Sequence, residues 1–376
     1  MFTGKSYPLF KLRNIPVKVD ASWFLIFVLL VYSLAVHFFP ERYPETGAIE
    51  AWILAIVATI FLFASVLAHE FAHAIVALNH GLKTRRIVLF IFGGVAQMED
   101  EPRNARSEFL IAGAGPLCSF FIGLFFLIIA APLEDVINPG IYGVIWYIGI
   151  INMVLAGFNL IPGFPLDGGR MLRAAIWKFT GNLRKSTRIV SLIGQAFSLF
   201  LVFSGVLWLL SGFILQGLLW IFVGIFLLQS ARNSYQMVAL REGLSNIPVK
   251  KVMTFNPVCI PKGYTIQRAV DDFFLNHAYA GYPVWDENLT ILGIIELKEV
   301  RSTDKKLWSS TKVEDVMKPL DQLPVVEPDS DVLLVLNAMI KHGVGRMIVQ
   351  KNKSLAGIIS RKDILNYMDI HDKINS

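Results

Sequence analysis

Long apolar runs separated by short polar loops fill roughly the first 240 residues of the chain. Six stretches stand out, at about 21–39, 50–79, 106–131, 141–161, 187–210 and 213–238. Each is near or above the roughly 20 residues a helix needs to cross a hydrocarbon core. The pattern predicts six transmembrane helices. From Phe255 to Ser376 the run lengths shorten and charged residues intersperse, as in ordinary soluble sequence. Residues 83–100 fit neither class. Ile87 to Gln97 is rich in β-branched and aromatic residues and is interrupted by Gly93-Gly94. That predicts a β-hairpin, either re-entrant at the membrane surface or an ordinary loop hairpin beside it. Irregular backbone at membrane depth must be covered by protein or line a wet cavity. Glu99, Asp100 and Glu101 read as a solvated turn.

The soluble part repeats. Val252-Met253 returns as Val316-Met317, Gly293-Ile294-Ile295 as Gly357-Ile358-Ile359, and Val300 as Ile364, each 64 residues on. Each copy predicts a short strand, an amphipathic helix, two strands and a final helix. Two copies argue a paired module and not a solenoid. The expected division is a membrane domain over 1–240, a linker over 241–247, and a paired module over 248–376, its copies at about 248–305 and 312–370.

Composition agrees with a membrane protein. The 376 residues are 54% hydrophobic and 12% aromatic, with mean hydropathy +0.54, too apolar for a soluble globule of this length. A net charge of +6 could suit nucleic acid, but much of the basic excess sits in short loops beside spans, where it reports topology. No nucleic-acid partner is expected. One set of loops holds Lys5, Lys11, Arg13 and Lys18, then Lys83, Arg85, Arg86 and Arg103, then Arg170, Arg173, Lys178, Arg184 and Lys185. The opposite set holds only Arg42 against Glu41, Glu45, Glu134 and Asp135. The positive-inside rule puts the basic set, and with six spans both termini, in the cytoplasm of a multi-pass cell-membrane protein. The first apolar run starts only after Asp20 and is too long for a signal h-region, so it reads as an anchor. Cys118 lies in a span and Cys259 in the soluble part, which does not suggest a disulfide.

Into the second span is set His69-Glu70-Phe71-Ala72-His73. An ionised side chain at bilayer depth costs roughly 3 kcal/mol or more. On a helix His69 and His73 stand ~40° apart, with Glu70 about 100° from His69. One sector thus holds two nitrogens suited to a single Zn²⁺ and a carboxylate beside it. A chance H-E-x-x-H is common in soluble chains, but the membrane setting argues against chance. Counting from Ala51 at about 1.5 Å per residue, His69 lies ~27 Å down the span, near the cytoplasmic edge of a ~30 Å core, where water has access. Catalytic zinc usually takes three protein ligands and leaves a position open. Asp167, in the Pro/Gly-rich break from Asn159 to Arg170, lies at the same level. The structural alternative is that it caps the helix that follows; the matching depth favours the ligand.

In these features the chain resembles the site-2 protease family of intramembrane metalloproteases. The resemblance rests on His69-Glu70-x-x-His73, Phe92-Gly93-Gly94, Gly113-Ala114-Gly115-Pro116 and Asn159 through Asp167-Gly168, in that order. It implies His69, His73 and Asp167 as ligands of one Zn²⁺, Glu70 as catalytic acid/base and Asn159 as a stabiliser of the oxyanion. The implied substrate is a membrane protein cut in or near a transmembrane helix close to the cytoplasmic face. The short loop between the third and fourth spans leaves no room for the PDZ domain some relatives carry. The paired module resembles a tandem CBS domain over about Pro248 to Tyr367. Such pairs often bind ATP or AMP, and Gly357, Ser360 and Asp363 fit the family's phosphate and ribose positions. The first copy has Glu296 and Glu299 there, and Glu296 would repel phosphate, so at most one good site is implied. Occupancy of it could open or block the cytoplasmic entrance. A pair that serves only as a homodimer or docking surface is the alternative.

The expected fold is therefore a polytopic α-helical membrane protein of six spans with a small membrane-associated β segment and a cytoplasmic α/β tandem CBS domain. Asp20 and Arg106, at span ends, are explained by snorkelling. Asn152 is read as an interhelical hydrogen bond or part of the site, and His37 and His80 as interfacial. A CBS-gated transporter would also use intramembrane histidines and a carboxylate. It does not explain a glutamate between histidines at i and i+4 together with Asp167 at matching depth. An inactive scaffold would not need the complete set.

Overall fold

The computed structural model describes residues 6–91, 93–98, 101–277, 279–288, 290–351 and 354–375, the side chains of 371, 372, 374 and 375 excepted. Lys5, Phe92, Glu99 and Asp100 lie outside the described residues. The chain divides into two compact units, Met1–Val238 and Ala239–Ser376.

The first unit opens with strands β1 (Ser6–Leu12) and β2 (Ile15–Asp20). Helices α1 (Ala21–Arg42) and α2 (Ala48–Asn79) follow, then β3 (Thr84–Phe90) and β4 (Gly93–Met98). Next come α3 (Ala105–Leu133) and α4 (Pro139–Asn159), the short α5 (Asp167–Thr180), α6 (Leu183–Leu210) and α7 (Ile214–Leu244). Six of these, α1 to α4 with α6 and α7, are long and apolar enough to cross a bilayer. The apolar runs predict the same six. Helix α2 shows why such a helix packs: Ala51, Leu54, Ala55, Ala58, Val66, His69, His73 and Ala77 are buried at three- and four-residue spacing, forming one stripe. Its alanines let neighbouring helices approach closely, while Ile53, Ile56 and Ile60 face outward.

Polar residues in the spans find local partners. Asn152 donates from Nδ2 to Ser65 Oγ of α2 at 3.0 Å, the interhelical bond expected of it. Asp20 does not snorkel: it is buried and caps α1, accepting from the Ser22 backbone N–H at 3.0 Å, because a helix N-terminus offers unsatisfied donors. Arg106, at the start of α3, is exposed. His37 sits exposed beside Glu41, and His80 bonds the Val76 carbonyl; neither joins a ligand cluster.

The β segment is larger than the sequence predicts. Strands run in the order β1-β2-β3-β4. β1 and β2 form a hairpin whose turn residues Arg13 and Asn14 both have positive φ, 45° and 64°. β2 pairs parallel with β3, Val17 opposite Ile87, and β3 antiparallel with β4. The N-terminal stretch read above only as a basic loop supplies half the sheet. Its buried Ile15, Val17 and Val19 alternate as a half-buried strand should. β4 stands at the sheet's edge.

In the second unit the first copy holds β6 (Ile260–Pro261), helix α8 (266–277), β7 (Gly281–Trp285), β8 (Ile291–Glu296) and α9 (Leu297–Ser302). The second copy holds β10 (Val325–Val326), α10 (Val332–His342), β11 (Arg346–Lys351), β12 (Ser354–Ser360) and α11 (Arg361–Asn375). The sheets are β6-β7-β8-β9 and β10-β11-β12-β5, where β5 is Thr254–Phe255 and β9 is Lys318–Pro319. Each copy thus lends its opening strand to the other's sheet. The repeated positions Ile295 and Ile359, and Val300 and Ile364, occupy matching places in the two cores. The observed architecture is the expected one: a six-span helical protein with a small β segment and an α/β tandem pair.

Candidate metal centre

Helix α2 turns His69 and His73 inward, where both are buried. Asp167 is brought to them from α5. The break after α4 stops the helix at Asn159, and α5 restarts at Asp167 itself, its cap position being Leu166 with no side-chain cap bond. Asp167 is therefore not the capping residue of the structural alternative. Its Oδ2 lies 3.1 Å from His69 Nε2 and 3.1 Å from His73 Nε2. One donor atom from each of the three falls within 4.8 Å of the others. Donors around one tetrahedral zinc ion lie roughly 3.3 Å apart, so the set suits that ion.

The far side of each ring is also fixed. His69 Nδ1 is 2.9 Å from Ser119 Oγ, and His73 Nδ1 is 2.6 Å from the Ile111 carbonyl, both on α3. A carbonyl only accepts, so His73 Nδ1 carries the proton and donates it, leaving Nε2 to face Asp167. Gly115, between these two anchors, is demanded by close approach: a Cβ there would run into the Nε2 atoms of both histidines. Burial alone would raise the Asp167 carboxyl, but the His73 charge and the hydrogen bonds of both imidazoles outweigh it and hold the carboxyl well below the usual carboxylate range. Ligands to a metal are deprotonated at the donor atom, so a dication there would take one lone pair from each of the three.

Glu70 lines the same cavity, of about 250 Å³, with His69, His73, Asp167, Asn159 and Arg170. Its Oε2 accepts the Ala96 backbone N–H at 2.9 Å. That N–H points away from β3, so the free edge of β4 looks into the cavity. Asn159 ends α4 and donates one amide N–H back to the Leu155 carbonyl at 3.0 Å. All five residues singled out for the reaction chemistry therefore meet in one place.

Three groups were missed from sequence: Ser119, the Ile111 carbonyl and Arg170. Ser119 lies four residues after Gly115 and so on the same helical face, the one signal available. Arg170 NH1 stands 3.9 Å from Asp167 Oδ1, on the side away from the histidines. Beneath the site, buried Glu108 of α3 pairs with Arg173 of α5, tying the helix that carries Asp167 to the one that anchors the histidines.

The second unit has a cleft of about 690 Å³ whose walls include Ser360 and Asp363. Ser360 donates to Asp363 Oδ2 from Oγ at 2.7 Å and from its backbone N–H at 2.8 Å. Gly357, on the strand that leads into Ser360, pairs with Phe255 of β5, where a Cβ would press on the Thr254 carbonyl. Close strand packing explains that glycine.

A peptidase family M50 model matches residues 57–136 and 127–201, and a CBS domain model matches 249–305 and 313–370. A zinc metalloprotease of Methanocaldococcus jannaschii is 34% identical over 366 residues, 97% of this chain and 96% of the relative. A protein of Synechocystis sp., provisionally assigned as a zinc metalloprotease, is 30% identical over 368 residues, 97% of this chain and 96% of the relative. Among solved structures, a site-2 protease from Methanocaldococcus jannaschii is 34% identical, covering 61% of this chain and 95% of that chain with a TM-score of 0.45.

Proposed function

This chain belongs to peptidase family M50, as a multi-pass membrane zinc metalloendopeptidase of site-2 protease type with a tandem CBS domain, and we propose that it hydrolyses a peptide bond in or near a transmembrane helix of a membrane-protein substrate, close to the cytoplasmic face. The observation that carries this reading is the convergence of His69, His73 and Asp167 beside Glu70. His69, His73 and Asp167 would hold Zn²⁺. When bound there, the ion supplies Lewis acidity, polarising the scissile carbonyl and making water a competent nucleophile at neutral pH.

The protein's own groups do the rest. Glu70 takes the proton of the attacking water and returns it to the leaving amine. Asn159 has one amide N–H tied to Leu155 and a second left to meet negative charge developing on the carbonyl oxygen. A substrate helix hides its peptide bonds in its own hydrogen bonds and must be unwound locally. The free edge of β4 accepts such a strand by backbone pairing, beside Glu70. The basic loops support a cytoplasmic location for this end of the helices and for both termini. Adenine nucleotide in the Ser360–Asp363 cleft regulates the enzyme, on the support of that cleft's walls.

The test is a Glu70→Gln variant beside wild type, reconstituted with a model transmembrane substrate. Cleavage is expected to fall by roughly 10²- to 10⁴-fold, the worth of a positioned acid/base, with bound zinc per chain unchanged. Cleavage within a few-fold of wild type would overturn the assignment.

A further inference from the structure

The 64-residue offset relates the CBS copies position by position, and around their two clefts four positions differ together. The open cleft has Thr254, Tyr282, Ser360 and Asp363 in its walls. Their counterparts in the mate cleft are Lys318, Arg346, Glu296 and Glu299. There two cations meet two anions. Arg346 NH1 lies 2.9 Å from Glu296 Oε1, while Lys318 Nζ lies 3.6 Å from Glu296 Oε2 and 3.4 Å from Glu299 Oε1. Each side chain is at most 35% exposed. Glu296 is thus not merely a repulsive group, since its charge is already answered from within the chain.

Arg346 belongs to both clefts. It is held by Glu296 on one side and lines the open cleft on the other, where Lys362 is also present. A guanidinium has five N–H donors in a planar fork, and only one is engaged with Glu296 here. We propose that the Glu296–Arg346–Lys318–Glu299 cluster plugs one cleft, leaving the pair a single ligand site, and that Arg346 reads the negative charge of the ligand bound there. This rests on the nucleotide reading above. Glu296 and the ligand's phosphates compete for one guanidinium, so the clasp lowers affinity for charged ligands and leaves uncharged ones alone.

Calorimetry on the full chain in lipid nanodiscs, with ATP and adenosine as probes, tests it. Wild type is expected to bind one ATP per chain. Glu296→Gln should tighten ATP roughly three- to ten-fold with adenosine unchanged. Arg346→Gln should weaken ATP by a similar factor and again spare adenosine. Retained adenosine binding in each variant reports an intact cleft. Two ATP per wild-type chain, an unmoved ATP affinity in Glu296→Gln, or equal shifts for ATP and adenosine would each sink the proposal while the nucleotide reading stands. Failure of every form to bind either probe would remove both.

Discussion

Each unit gathers four ionisable side chains from distant stretches of chain, and the two clusters resolve their charge in opposite ways. In the tandem pair, Glu296 and Glu299 are answered by Lys318 and Arg346, so the group is neutral and self-contained. In the membrane unit, His69, His73 and Asp167 turn lone pairs toward one point, with Glu70 in the same cavity. The nearest fixed cation recorded for Asp167, Arg170, stands 3.9 Å off on the far oxygen. A buried set of acceptors aimed at one point calls for an external cation; a set of alternating charges calls for nothing. Burial makes the first arrangement expensive, which is the mark of a working site. Partly buried pairs of the second kind answer their own charge, and the gain is largely offset by desolvation. Direction of the donor atoms, and not the number of charges, separates a metal site from an internal plug.

The sharpest way to break this contrast is Asp167→Ala. If the convergence serves a cation, the variant is expected to lose its zinc to mild chelation and its cleavage to fall by roughly 10⁴-fold or more. Stoichiometric zinc and near-native cleavage would make this cluster as self-contained as the other. Next in size comes Gly115→Ala. Its methyl claims space held by both Nε2 atoms, and displacement of positioned groups by about 1 Å costs on the order of 100-fold. Turnover and zinc affinity should fall together while the thermal midpoint stays near wild type. An unaffected variant would mean the rings sit less tightly against α3 than the geometry requires.

The sequence made much of this legible, and unevenly. The six spans follow from apolar run length alone, because no soluble core needs 20 such residues in a row. His69, Glu70 and His73 were visible because polar groups in a span are anomalous and their spacing is local. Asp167 was reachable only through depth, since 94 residues separate it from His73. The β1–β2 hairpin stayed hidden: its parallel pairing with β3 spans some 70 residues, and its lysines and arginines resembled topology charge. At Gly357 a family position and a packing requirement coincide on one residue type, and the sequence alone does not separate them. Of the two glutamates of the first CBS copy, Glu296 was read as repelling phosphate. Their partners Lys318 and Arg346 come from the other copy, and periodicity does not say which side chains meet.

The smallest expected effect probes the ring orientation on which the contrast depends. Ser119 is fully buried, and its Oγ lies 2.9 Å from His69 Nδ1. Ser119→Ala therefore removes no zinc ligand and no charge, only the group that fixes which way the imidazole faces. Loss of such an outer partner typically weakens a metal by 10- to 100-fold, and roughly tenfold is expected here because His73 keeps its own anchor on the Ile111 carbonyl. Zinc competition against a chelator would read that loss, and cleavage at saturating zinc should recover most of the wild-type rate. Glu296→Gln, by contrast, should leave zinc affinity untouched. If the serine variant bound zinc as tightly as wild type, donor direction would be set by the helix alone, and the distinction between the two clusters would rest on charge after all.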